Sequence, residues 1–173
     1  SGVVRLDHLD TTALKTTIGG RILMEMLDMR YPVEEWGGQG LGRFGRFAVV
    51  AAGLAVSDAR LERLVDLGLS KGVFIGTSAG PVDEIEAYHQ QSLADGTTGV
   101  KPSILRRTRF SEAADAVAAR FNVTGDNLTL TGGCAASMGA LQAAAEAIIS
   151  GRIDIAIVGG VECPLTERHL RLW

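Results

Sequence analysis

Two short apolar runs that end on glycine constrain this chain more than any other feature. Gly72-Val73-Phe74-Ile75-Gly76 is one, and Ile153 to Val158, landing on Gly159-Gly160, is the other. Runs this short and apolar read as strands buried on both faces, which need helices above and below them. The helical segments are present. From Arg43, Phe44, Phe47, Val50/Ala51 and Leu54/Ala55 recur at three- and four-residue steps. A polar helix is predicted after Pro81, with Asp83, Glu84 and Glu86 on its surface. Ser111 is placed to cap a helix running to Phe121. Cys134 to Ile149 reads as a buried helix with Met138, Leu141, Ala145 and Ile148/Ile149 on one face, ended by Gly151. Asn127 to Thr131 alternates Leu128 and Leu130 with polar residues, as a half-buried or edge strand does. Ser1 to Gly42 reads as irregular, and residues 95–109 as a loop. Strands alternating with helices define an α/β class with a largely parallel sheet.

Composition narrows the function classes. The 173 residues include 22 glycines, roughly twice the usual ~7%, beside 46% hydrophobic residues. That combination calls for tight turns and close backbone approaches rather than disorder. With 17 Lys+Arg against 20 Asp+Glu, the chain lacks the basic excess of a nucleic-acid binder. The longest apolar run, Phe47 to Val56, is far short of the roughly 20 residues of a membrane helix, and the first residues do not show a signal-peptide pattern. Two cysteines make no disulfide framework, and His8, His89 and His169 have no metal-site spacing. The expectation is a cytoplasmic protein with no resident cofactor or metal. A chain that opens on Ser1-Gly2 and stops at Leu172-Trp173 is expected to be part of something longer.

Three motifs compete for the chemistry. Gly40-Leu41-Gly42-Arg43-Phe44-Gly45 spells the dinucleotide pattern G-x-G-x-x-G, but the residues before it are not a buried strand. Gly76-Thr77-Ser78-Ala79-Gly80 spells G-x-S-x-G after a strand, as a nucleophile elbow requires. It resembles the serine site of patatin-like acyl hydrolases, with Asp95 of Asp95-Gly96 as the partner, although the helix that follows is acidic and no glycine-rich oxyanion segment precedes it. The third motif, Thr131-Gly132-Gly133-Cys134-Ala135-Ala136-Ser137, joins a strand to the most apolar helix. Unpaired helix N–H groups and the positive end of the helix dipole favour an anion such as a thiolate there. Cys163, just after a strand and before Pro164, reads as a buried, inert thiol.

The third motif and its surroundings resemble the β-ketoacyl-acyl carrier protein synthases. Gly-Gly-Cys-Ala-Ala-Ser, a small-residue helix, Ser150-Gly151-Arg152-Ile153-Asp154 and Val158-Gly159-Gly160-Val161-Glu162 occur in that family's order. So do Gly42-Arg43-Phe44-Gly45-Arg46-Phe47-Ala48 and Gly72-Val73-Phe74-Ile75-Gly76-Thr77. The likeness runs from about Arg43 to Glu162. Gly133 stands where the family has alanine, and Gly132 where it has threonine.

The resemblance implies a thiolase-like fold of two α/β halves packed in five layers, with residues 1–173 as a partial N-terminal half. The opening strand and the second half, which carries the family's histidine pair and lysine, are absent from it. It implies Cys134 as the nucleophile that takes an acyl group from phosphopantetheine and passes it to a decarboxylating malonyl-carrier protein. Ser78, Ala79, Gly133 and Met138 would line the substrate pocket, and alanine at 79 would leave room for a longer acyl group. The implied partners are an acyl carrier protein, met by Arg106, Arg107 and Arg109 unless these are merely a solvated loop, and a second subunit paired through Asn127–Thr131. His169 is expected on the surface. A catalytically inactive partner subunit, a degradative thiolase or a structural protein are the competing readings.

Overall fold

The computed structural model describes residues 2–61, 68–96 and 101–172. Among them, three parallel strands form one sheet in the order β4 (Asn127–Thr131), β3 (Lys71–Thr77), β5 (Ile155–Gly160). All seven residues of β3 are buried, as its central position and apolar sequence require. Side chains alternate across a strand, so Val73 and Ile75 face one layer and Phe74 the other. The first layer is α3 (Arg43–Asp58) with α6 (Glu112–Arg120), which bring Phe44, Val49, Val117 and neighbouring alanines to Val73 and Ile75. The second is α7 (Ala136–Ile149), whose Ala140, Ala144 and Ala147 lie on Phe74 and Ile153. Complete burial of Phe44 and Phe74 stabilises the sandwich by roughly 1.5–3 kcal/mol each.

The registers place the carboxyl ends of the strands side by side. Thr77 of β3 is level with Thr131 of β4, and Gly76 with Gly160 of β5. At the opposite end Asp154 fixes β5 to β3, accepting hydrogen bonds at 2.8 Å from both the backbone N–H and the hydroxyl of Ser70. These bonds hold the Asp154 carboxyl below its ordinary range. The aspartate of the Ser150–Asp154 motif is thus a register pin.

Several sequence expectations change. Ser1 to Gly42 is not irregular: it holds an antiparallel pair, β1 (Val3–Arg5) and β2 (Ile18–Gly20), then α1 (Met24–Arg30) and α2 (Val33–Trp36). The buried Arg46 of α3 fastens this region, donating to the carbonyls of Tyr31 and Gly37 and to Asp28 at 2.7–2.8 Å. A charge taken out of water needs such partners. Within the predicted loop, α5 (Ser103–Arg107) is helical, and residues 97–100 lie outside the described residues. The Ser111 hydroxyl bonds to the Asp115 carboxylate at 2.9 Å instead of capping α6.

The apolar faces of two helices are also reassigned. In α3 the buried stripe is Phe44, Ala48, Val49, Val50, Ala52 and Val56, so Phe44 and Val50 lie where expected, while Ala51, Leu54 and Ala55 are exposed. In α7 the large side chains expected in the core point out: Met138 is 66% and Ile149 85% exposed. The alanine face is turned in because the helix lies too close to the sheet for anything larger. After Pro81, α4 (Val82–Asp95) forms as expected, but Asp83, Glu84 and Glu86 are half-buried. Burial raises the Asp83 and Glu84 carboxyls above their ordinary range.

Glu112, 1% exposed, caps the start of α3 from the neighbouring helix. Its two oxygens accept from the backbone N–H groups of Gly42 (3.0 Å) and Gly45 (3.2 Å). Burial outweighs these bonds and raises its carboxyl above the usual range. A raised folded-state value stabilises fully below the unfolded value of 4.5 and loses that contribution as pH rises through the folded value. Glu112→Gln cannot titrate. In the intact protein, the melting temperature of the wild type should therefore fall relative to Glu112→Gln as pH is raised upward from 4.5. Parallel melting-temperature profiles would contradict it.

Candidate active site

Cys134 occupies a single 3₁₀ turn, Gly133–Ala135, between β4 and α7. Gly133 has φ +57, a left-handed conformation that glycine takes without steric cost. The turn closes through the Ala135 N–H donating to the Gly132 carbonyl at 3.2 Å. The first turn of α7 then crosses the ends of β3 and β5 so closely that a Cβ at Gly76 would collide with the backbone of Ala136 and Ser137. At Gly160 a Cβ would collide with the Ser137 hydroxyl. These two glycines let the helix start directly over the strand ends, which leaves the Cys134 side chain exposed there.

Each strand sends its exit segment to the same place. Ser78 and Ala79 follow β3, Gly133 and Cys134 follow β4, and Glu162 and Pro164 follow β5; together they line a cavity of about 230 Å³. In open parallel sheets the crevice at the carboxyl ends of the strands is where ligands bind. Three of the residues selected from sequence, Ser78, Ala79 and Gly133, therefore meet Cys134. Met138 does not: it lines a separate groove with Leu130 and Leu141 on the outer face of α7.

Two residues emerge that sequence reasoning did not select. Glu162 carries a motif position but no assigned role. Its Oε1 accepts from the Ser78 N–H and, at 3.1 Å, from the Thr77 hydroxyl, while Oε2 accepts from the Ala79 N–H at 3.2 Å. His169, expected on the surface, is half-buried and lines the Cys134 cavity. It is delivered by α8 (Glu167–Leu170), whose N-cap Thr166 accepts from the His169 N–H at 3.2 Å and donates to Glu86 at 2.7 Å. The readable signal was Thr166 three residues before His169, the spacing of a helix N-cap.

The rival motifs resolve on geometry. The Gly42 and Gly45 amides of G-x-G-x-x-G, which would meet a pyrophosphate, are taken by Glu112. The helix α2, not a strand, precedes that motif. Asp95 stands at the far end of the 14-residue α4, about 20 Å of helix from the Ser78 turn, so the expected serine–aspartate pair does not form. Arg106 and Arg107 both donate to the Gly40 carbonyl, and Arg109 pairs with Asp115 at 3.2 Å. The basic cluster thus ties α5 to the start of α3 and to α6.

The two cysteines differ as expected. Cys163 is 6% exposed, and burial, with the Asp83 carboxylate nearby, pushes its thiol up to about 12. Cys134 is open at the cavity.

Comparison with known proteins gives the family. The family described as "Beta-ketoacyl synthase, N-terminal domain" matches residues 38–173, and the chain belongs to the beta-ketoacyl synthase family. It is 25% identical over 167 residues to a 3-oxoacyl-[acyl-carrier-protein] synthase 2 of Staphylococcus aureus, covering 96% of this chain and 41% of the relative. The synthase of the same name from Vibrio cholerae is 26% identical over 162 residues, covering 94% and 39%. The chain thus spans about two fifths of the length of these curated relatives. Among solved structures, the ishigamide ketosynthase/chain length factor superimposes with a TM-score of 0.81 at 25% identity, over 99% of this chain and 42% of that one. A type II PKS ketosynthase, solved in complex with its acyl-carrier protein and bound to the hexaketide, gives 0.68 at 28% identity, over 76% and 35%. The expected thiolase-like α/β class, represented by part of its N-terminal half, holds. Among the described residues, no helix is long and apolar enough to cross a membrane.

Exposure separates the thiols experimentally. Brief iodoacetamide treatment of the folded protein should modify Cys134 and spare Cys163, and Cys134→Ala should abolish that labelling, read by peptide mass. Labelling at Cys163 in the folded protein would contradict the assignment.

Proposed function

We propose that the intact protein is a β-ketoacyl-acyl carrier protein synthase in which Cys134 carries the growing acyl group. The observation that carries this reading is the exposed Cys134 at a strand–helix junction, in a cavity walled by the exits of all three parallel strands. Its thiolate attacks the carbonyl of a phosphopantetheine-borne thioester and expels the carrier thiol, leaving an acyl-cysteine. Malonyl-carrier protein then loses carbon dioxide. Its carbanion forms the new carbon–carbon bond at the acyl carbonyl, and the Cys134 thiolate is released. The Cys134 backbone N–H is one donor to the oxyanion of the tetrahedral intermediate. The family resemblance assigns the histidine pair and lysine that complete this chemistry to a second half-domain. No resident cofactor enters the scheme, since phosphopantetheine arrives with the substrate.

An acyl carrier protein is the proposed partner, in the cytoplasm. The resemblance points to a dimer through β4, whose one ladder partner among the described residues is β3, leaving its other edge for a second subunit. Ala79, in the cavity wall, presents only a methyl group where the family often carries a gatekeeping side chain, which favours longer or bulkier acyl groups.

Incubation with an acyl-carrier thioester should add the acyl mass to Cys134 in the wild type and not in Cys134→Ala. A surviving covalent adduct in the variant would sink the nucleophile assignment. Filling the wall with Ala79→Phe should lower kcat/KM for long acyl groups relative to short ones by roughly tenfold or more, because pocket volume is read at about 10–200-fold per methylene. An unchanged ratio would remove Ala79 from the pocket.

A further inference from the structure

We infer that Glu162 is the positioning residue that holds the Ser78–Ala79 wall of the Cys134 cavity in place and so sets which acyl groups the cavity accepts. The inference rests on the acyl-pocket reading given above. Three donors from consecutive residues converge on one carboxylate: the Thr77 hydroxyl, the Ser78 N–H and the Ala79 N–H. The turn they belong to has few other fastenings. The Gly80 N–H donates to the Thr77 oxygen at 3.0 Å, and Gly80 itself is left-handed at φ +69. The base of Glu162 is fixed in turn, since the Val161 N–H donates to the Gly76 carbonyl at 3.2 Å and continues the β3–β5 ladder. Glu162 therefore reaches from the exit of one strand to the exit of the next, and holds the wall opposite Cys134 at a set distance.

The chemistry of the side chain matters. A carboxylate offers two acceptor oxygens and no donor, which suits three converging hydrogens. Glutamine keeps one acceptor and turns an NH₂ donor toward N–H groups. Aspartate keeps both oxygens on a stem one methylene shorter. Hydrogen bonds to a carboxylate are in general about twice as strong as neutral ones.

The test uses Glu162→Gln and Glu162→Asp in the intact protein, with three readouts. Single-turnover acylation of Cys134 is followed with thioesters of short and long acyl chains. Alkylation of Cys134 by iodoacetamide reports the thiol without using the wall. Amide hydrogen exchange is followed in the peptide covering Ser78–Gly80. In Glu162→Gln the long-to-short acylation ratio should change by about tenfold while alkylation stays within about twofold, and exchange should quicken. Glu162→Asp should restore part of the ratio. An unchanged ratio in Glu162→Gln would overturn the inference. So would a loss shared equally by all chain lengths and by alkylation, the mark of a general structural role. Absence of any acyl adduct on wild-type Cys134 would instead sink the synthase reading. Exchange at Ser78–Gly80 still decides the fastening in that case, and unchanged protection overturns it.

Discussion

Most of this structure depends on how closely α7 lies upon the sheet. Gly76 and Gly160 remove the side chains that would hold the helix off, and Ala140, Ala144 and Ala147 present the smallest apolar surface in return. Close packing leaves no room to adjust, because interiors are as dense as organic crystals. The same approach puts the first turn of α7 over the strand ends, and with it Cys134. Helix packing and site geometry are therefore one constraint. It also explains why Met138, Leu141 and Ile149 stay outside, since a branched or long side chain on the inner face would lift the helix and its cysteine away.

Buried charges fasten the pieces around this sandwich. Arg46 gathers two carbonyls and Asp28 and so secures the N-terminal segment to α3. Glu112 holds the opening turn of α3 from α6 and thereby occupies the amides of the glycine motif. Glu162, although exposed, performs a similar service at the site, where one carboxylate gathers three donors from the turn after β3. In each case a side chain from another segment satisfies backbone groups, and for Arg46 and Glu112 the charge is itself buried and must be paired in this way.

The strands, the α4 and α7 helices and the Cys134 junction were legible because their signals are local. A buried strand shows as an unbroken apolar run, and a helix end shows as a left-handed glycine such as Gly151. The inner face of α7 was misread because periodicity ranks residues by hydrophobicity, whereas the sheet selected by size. The N-terminal hairpin and short helices were missed because three-residue strands and four-residue helices carry too few positions for a period. His169 was placed on the surface because only the fold shows that α8, held through Thr166 and Glu86, turns back to the cavity.

The sequence by itself determined the α/β class, the cysteine at the strand–helix junction and the family to which they point. All three reside in contiguous residues whose spacing reflects the geometry of one strand or one helix. Tertiary structure alone decided which groups stand around Cys134, and that Ser78 is held by Glu162 rather than paired with Asp95. The Ser78–Glu162 and Ser70–Asp154 contacts each join residues 84 positions apart. A hydrogen bond across that separation leaves no periodic trace in the chain, because it exists only once the strands have aligned.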